Sequence, residues 1–285
     1  MRAQQASVLA RTLEDFVADG VLDATMATLL RATVRTRKNI VITGRQAAGN
    51  TSLLRALCAE CDPAASIITV EQEPELLLDK LPALQPAKRV VPMKARNDTA
   101  DQPPTAMKDL VVEATRLKVT RLIVADIRGP EIAAFWLMHG EGVMATMHAA
   151  EARQGFNRLV MMAMEDGWSN TDHAQRVMAE HIDLVMHLDY RPAGETPGVR
   201  RRVISTITAP SFGEDATISI TEVYAPDADG NPVPGEVPAA QLVTSSTPAS
   251  TTTPTPNAAP DQQAPPRRHD PRPRVSGRGD VLVSR

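Results

Sequence analysis

Residues 39–55 constrain the fold more than any other stretch. Asn39-Ile40-Val41-Ile42-Thr43 is short, apolar and β-branched. It runs straight into Gly44-Arg45-Gln46-Ala47-Ala48-Gly49-Asn50-Thr51, and a helical pattern opens at Ser52-Leu53-Leu54-Arg55. Strand, glycine-bearing loop and helix in that order are the setting of the phosphate loop G-x-x-x-x-G-K-[ST], with both glycines and the threonine in register. The glycines let backbone N–H groups curl around phosphate, the helix N-terminus favours negative charge, and the hydroxyl holds Mg²⁺. The lysine is missing, and Asn50 stands in its place. That lysine reaches the β- and γ-phosphates; an amide donates a hydrogen bond but brings no charge. Losing one preorganised donor costs roughly 3–4 kcal/mol, or about 10²–10³ in rate. Arg45, inside the loop, is the substitute cation the sequence offers. The candidate nucleotide contacts are Gly44, Arg45, Ala48, Gly49, Asn50, Thr51 and Ser52, with Thr51 also a candidate Mg²⁺ ligand. For the loop alone, a glycine-bearing turn that binds nothing is the plain alternative.

The rest of the chain places the loop in an α/β pattern. Strands are expected at 40–43, 66–70, 90–93, 121–126, 143–147 and 182–188. Helices are expected at 51–59, 107–117, 131–138, 153–164 and 171–180. Such alternation predicts a mainly parallel sheet covered by helices. Alternating runs at 201–208 and 217–224 predict an antiparallel β-hairpin added at the sheet edge. Upstream, residues 5–37 read as helical with a break at Ala18-Asp19-Gly20. Downstream, 235–285 is rich in Pro, Ser, Thr, Ala and Arg, a composition too poor in apolar surface to offset ordering, and is expected to be a disordered tail. The domains are thus a helical lead-in (1–37), the α/β domain (38–234) and the tail (235–285).

Other features exclude function classes. A net charge of −3 over 285 residues gives no electrostatic case for general binding to nucleic acid or membrane. The Arg200–Arg202 cluster and the Arg-rich tail are read as a solvated face and a tether. No apolar run approaches the roughly 18–20 residues that span a bilayer, and no apolar leader segment marks the N-terminus, so a cytoplasmic location is expected. Cys58 and Cys61 form a C-x-x-C, but two thiols leave a tetrahedral zinc site incomplete. They are expected to be small, semi-buried residues near a helix end.

Four segments carry a family resemblance: the lead-in Leu29-Leu30-Arg31-Ala32-Thr33-Val34-Arg35-Thr36-Arg37-Lys38-Asn39-Ile40-Val41; the acidic stretch Ile68-Thr69-Val70-Glu71-Gln72-Glu73-Pro74-Glu75-Leu76; Leu122-Ile123-Val124-Ala125-Asp126-Ile127-Arg128-Gly129-Pro130-Glu131; and Gly142-Val143-Met144-Ala145-Thr146-Met147-His148-Ala149. In this order they resemble the type II/IV secretion and pilus-assembly ATPases, from about Leu22 to Pro234, nearest the Tad/Flp-pilus (CpaF-like) branch as found in actinobacteria. The resemblance implies a RecA-like P-loop NTPase core that binds ATP with Mg²⁺. It implies Glu71, Asp126 and His148 as catalytic residues, in the acidic box, the Walker B segment and the His box. Asp126 would be an Mg²⁺ ligand beside Thr51, and Arg128 a nucleotide contact. Arg96 falls near a phosphate-contacting arginine of the family.

Three positions depart from the family pattern: Asn50 for Lys, Gln72 for Asp, and Asp126 for Glu. The segment before the His box, His139-Gly140-Glu141, is short, and the family's N-terminal domain is expected to be almost absent. Together these predict a degenerate, non-hydrolysing subunit that joins or caps a ring of family subunits, as a homo- or hetero-oligomer of hexameric type. An inner-membrane secretion or pilus platform protein is the partner expected at the membrane's inner face. The alternative is a working ATPase motor for secretion, pilus assembly or conjugal transfer, using Arg45 or a cation from a neighbouring subunit.

Overall fold

A computed structural model describes residues 11–84, 89–97, 103–138, 142–168, 170–192, 200–213, 218–227 and 231–235. Among the described residues two helices lead in, α1 (Leu13–Ala18) and α2 (Ala24–Arg35). Thr12 and Asp15 form a reciprocal capping box at the start of α1, and the Asp23 carboxylate accepts the Met26 N–H at 2.7 Å at the start of α2. The expected break falls between them, at Asp19 and Gly20. Leu13, Phe16, Met26, Leu30 and Val34 are buried in the same core as Ile40, Ile42, Leu53 and Leu57, so the lead-in packs onto the sheet.

The sheet follows with β1 (Ile40–Gly44), α3 (Asn50–Ala59), β2 (Ser66–Glu71), β3 (Arg89–Lys94), α4 (Met107–Arg116), β4 (Arg121–Val124), the single-turn helix α5 (Ala134–Leu137), β5 (Val143–His148), α6 (Ala152–Glu165), α7 (Thr171–His181), β6 (Leu184–Pro192), β7 (Arg200–Phe212), β8 (Ile218–Pro226) and β9 (Pro232–Pro234). The nine strands lie in the order β3-β2-β4-β5-β1-β6-β7-β8-β9. From β3 to β6 all pairs are parallel; β7, β8 and β9 add antiparallel strands at the β6 side. This is the expected α/β fold with its C-terminal hairpin, extended by β9. Side chains alternate across β1: Ile40 and Ile42 join the core with α1, α2 and α3, while Val41 joins the opposite core with α4, α6 and α7. Both faces are therefore covered, as a parallel sheet requires.

Three expected elements end elsewhere. The strand expected to reach Asp126 stops at Val124, because the Asp126 N–H turns to the Thr146 hydroxyl at 2.8 Å and Asp126 takes a left-handed φ of 57°. The helix expected at 131–138 is a 3₁₀ turn, Pro130–Ala133, followed by α5. The Glu131 carboxylate accepts the N–H groups of Arg128 (2.6 Å) and Gly129 (3.1 Å), tightening the entry. The strand expected from 182 begins at Leu184, after the Asp183 carboxylate has bound the Asn39 N–H at 2.7 Å and the Lys38 ammonium. Cys58 and Cys61 are both buried, deeper than the semi-buried setting expected. The tail from 236 onward and His139-Gly140-Glu141 lie outside the described residues. No helix among the described residues is long and apolar enough to cross a membrane.

Candidate nucleotide site

The site grows from the C-terminal end of β1, the central strand flanked by β5 and β6. In an open α/β sheet that edge is where ligands bind. The loop after Gly44 turns through Ala47 (φ 64°) and Gly49 (φ 102°) before α3 begins. Gly49 is the N-cap and no side chain caps the helix, so its first N–H groups are left for an anion. Ala48 is buried beneath the loop, Arg45 is exposed, and Thr51 and Ser52 are half-buried. No protein hydrogen bond occupies either of the latter hydroxyls among the described residues.

Asn50 turns inward. It is 7% exposed, and its Nδ2 reaches the carbonyls of Gly44 and Met147 only at 3.5 and 3.4 Å. Its Oδ1 is buried without a partner among the described residues and lies 2.5 Å from where a Cβ would stand on Gly44. The lysine position therefore holds a weakly anchored neutral amide folded under the loop.

β5 lies between β1 and β4 and brings the other candidates close. His148 ends β5 opposite Gly44, with Nδ1 3.4 Å from the Gly44 carbonyl. Its Nε2 is 3.6 Å from Oδ1 of Asp126. The other Asp126 oxygen accepts from the Arg128 guanidinium at 2.9 and 2.5 Å, and this contact holds Arg128 above its ordinary pKa. Asp126, Arg128 and His148 thus form one cluster beside the loop. Asp126 Oδ1 is buried and accepts no hydrogen bond among the described residues. A carboxylate oxygen and a threonine hydroxyl are the hard donors Mg²⁺ takes, so Asp126 and Thr51 fit that ion. Bound there with a nucleotide, Mg²⁺ would neutralise phosphate charge. Among the described residues no three His, Cys, Asp or Glu side chains cluster to hold a metal, so phosphate and water would supply the remaining ligands.

Glu71 is not joined to that cluster. Its Oε1 accepts the N–H groups of Glu75 (3.0 Å) and Leu76 (2.9 Å), and no hydrogen bond or ion pair links it to Asp126, His148 or the loop among the described residues. Arg55 of α3 donates to the carbonyls of the same two residues at 3.0 and 3.1 Å, stapling the acidic segment to α3. Burial pushes the Glu71 carboxyl above its ordinary range, against the pull of the two N–H donors. A carboxyl whose folded pKa is raised stabilises most below its unfolded pKa, and that stability is lost as pH rises through the folded value. Glu71→Gln keeps an acceptor and buries no charge. It is expected to raise the melting temperature at pH 7.5 and to flatten its dependence on pH upward from the ordinary carboxylate range. Parallel melting-temperature curves for the two proteins from pH 4.5 to 8 would refute this. Arg96, the other phosphate candidate, donates to the Thr105 hydroxyl at 3.0 Å.

Two residues that sequence reasoning did not assign to the site touch the loop from β6 and β7. Tyr190 on β6 donates its hydroxyl to the Ala47 carbonyl at 2.7 Å, and its cross-strand partner Arg202 on β7 lies against Gly49. Only the β6–β7 register brings them there. Beneath the loop, the buried Thr43 hydroxyl meets His187 Nδ1 at 2.9 Å; burial lowers the His187 pKa, and the charge of Arg45 adds to that.

A parallel sheet with a phosphate-loop turn after its central strand, and an Asp–His pair where β5 ends and just beyond β4, defines a RecA-like P-loop NTPase core. The chain belongs to the family described as type II/IV secretion system protein, whose sequence model matches residues 1–216. It is 31% identical over 182 residues to the type IV secretion system protein PtlH of Bordetella pertussis, covering 61% of this chain and 51% of that protein. It is 28% identical over 166 residues to VirB11 of Brucella suis (56% of this chain, 45% of that protein). To the probable conjugal transfer protein TrbB of Sinorhizobium fredii it is 25% identical over 185 residues (64% and 53%). The chain spans about half the length of these relatives. Among solved structures it is similar to the VirB11 ATPase of Brucella suis in complex with sulphate, with a TM-score of 0.54 at 24% identity over 70% of this chain and 62% of that one. The Legionella pneumophila ATPase DotB matches with a TM-score of 0.50 at 20% identity, over 66% and 50%. At these identities the structural likeness shows the fold.

Proposed function

We propose that this chain is a nucleotide-binding, non-hydrolysing member of its family that works by assembly, joining a ring of family subunits at a secretion or pilus machine. The observation that carries this is Asn50. Gly44, Gly49, Thr51 and the start of α3 are those a phosphate cradle needs, while the position that should put a cation against the transferring phosphoryl group holds a buried, uncharged amide. Asp126 supports the reading, because it is one methylene shorter than the family's Glu and is paired with Arg128. The Tad/Flp-type branch, an inner-membrane platform partner and a cytoplasmic site belong to the same proposal, resting on the motifs around Arg31, Glu71, Asp126 and His148.

The test is binding of a fluorescent ATP analogue with and without Mg²⁺, run beside phosphate release. Binding without release above the buffer blank is expected. Mg²⁺-dependent turnover that Thr51→Ala abolishes would sink the proposal. It would favour the second reading, a working motor, for which the 3.6 Å approach of His148 to Asp126 is the supporting observation.

A further inference from the structure

We propose that Arg202, on the β6–β7 hairpin, supplies the phosphate loop with the positive charge that Asn50 lacks, so that a nucleotide's polyphosphate is gripped between the first turn of α3 and β7. This rests on the nucleotide-binding reading above. Arg202 Nη1 is 3.3 Å, and its Cδ 3.7 Å, from the position a Cβ would take on Gly49. A side chain at Gly49 would crowd the guanidinium by a few tenths of an ångström, on top of the strain of the left-handed turn. Arg202 is exposed and makes no ion pair or hydrogen bond among the described residues. Its fork of donors is therefore free for phosphate oxygens, which guanidinium matches well.

The register holds the arginine in place. Arg202 is directly opposite Tyr190, and the Tyr190 hydroxyl is bound to the Ala47 carbonyl at 2.7 Å, so two cross-strand partners land on residues 47–49 together. Its neighbour Arg201 points the other way. The Arg201 guanidinium donates to Asn231 Oδ1, and its Nη1 is 3.5 Å from the Cβ position of Gly20 in the lead-in. The arginine run thus splits by face, and one member meets the loop. Within the loop the Asn50 amide keeps a buried Oδ1, unpartnered among the described residues, and two long hydrogen bonds, a hold weak enough to yield to a ligand.

The experiment titrates fluorescent ATP, and inorganic tripolyphosphate as competitor, against wild type, Arg202→Gln, Arg202→Lys and Arg201→Gln, with thermal melts to check folding. Arg202→Gln is expected to weaken both ligands by roughly 10- to 100-fold, the worth of a hydrogen bond to a charged group, and to reduce the salt dependence of binding. Arg202→Lys should recover much of the loss, and Arg201→Gln should stay within about twofold of wild type, being off the site. If Arg202→Gln binds as tightly as wild type, the assignment of Arg202 falls and the nucleotide-binding reading stands. Equal losses in Arg202→Gln and Arg201→Gln would also overturn it, since net charge alone would then explain them. If wild type binds neither ligand, both proposals fall.

Discussion

Asn50→Lys is expected to raise the affinity for Mg·ATP by roughly 10- to 100-fold, the value of one hydrogen bond to a charged group. Adding Asp126→Glu should then raise turnover over the single variant by about 10². Asn50 begins α3 under a loop whose helical N–H groups have no side-chain cap, so a lysine there starts beside the uncapped donors. The Gly44 and Met147 carbonyls that now take the amide at 3.5 and 3.4 Å would hold the ammonium until phosphate arrives. Lysine brings affinity and the one charged donor that acts on the transferring phosphoryl group. Turnover also needs a water held in line with the γ-phosphate. Asp126 takes a left-handed backbone turn and gives one carboxylate oxygen to Arg128, so it is short for that task. Glutamate extends the carboxylate by one methylene, and small misplacements of a reacting group cost about 10² in rate. The measurement is phosphate release and nucleotide affinity on wild type, the single variant and the double variant. A folded Asn50→Lys protein with wild-type affinity would show that the loop is not a phosphate cradle. A double variant whose turnover matched that of the single one would separate Asp126 from the proposed non-hydrolysing character.

The parts of this site that were legible in the sequence are those whose chemistry is local. Gly44, Gly49 and Thr51 sit at fixed offsets between a strand and a helix, and β1 and α3 fold there because the apolar pattern changes period from 2 to 3.6. The parts that were not legible depend on another strand. Asp126 leaves β4 early because the Thr146 hydroxyl, on the neighbouring β5, takes its N–H. No pattern within 121–126 encodes that partner. Glu71 matched an acidic motif in sequence, yet its Oε1 is engaged with backbone N–H groups four and five residues ahead. Arg202 looked like one of three equivalent surface arginines until the register against Tyr190 separated it from Arg201.

Charge is therefore distributed across the loop differently from the sequence expectation. Arg45, the offered substitute, is exposed, and its charge bears on the buried His187 beneath the loop. Arg202 approaches from the opposite chain segment, more than 150 residues further on, through the antiparallel strands that extend the parallel sheet. The hairpin that reads in sequence as an edge addition, β7–β8, thus carries Arg202 against the loop, because β7 pairs with β6 and β6 pairs with β1.

Gly142→Ala is expected to destabilise the chain by about 3 kcal/mol, the sum of a left-handed residue without glycine, about 1–2 kcal/mol, and overpacking of about 1–3 kcal/mol. Gly142 has φ 82°, and a Cβ there would stand 2.5 Å from the Thr120 backbone carbonyl, an atom that cannot swing away. Its N–H donates to the Arg37 carbonyl at 2.7 Å and its own carbonyl accepts from Leu122, so movement to relieve the clash breaks the entry to both β4 and β5. Beside it, fully buried Arg121 donates to the Val34 carbonyl at the end of α2, a charge that tolerates little rearrangement. In a domain of about 200 residues each kcal/mol is worth roughly 2–4 °C, so the melting temperature should fall by roughly 6–12 °C. Gly167 supplies the comparison, with φ 101° and nothing within 4 Å of its Cβ position among the described residues. Gly167→Ala therefore carries only the backbone penalty, about 1–2 kcal/mol. Thermal melts that gave the two substitutions the same loss would show that β5 is not pinned at Gly142. The placement of His148 and Thr146 beside the loop depends on that strand, so the same result would undercut their place in the site.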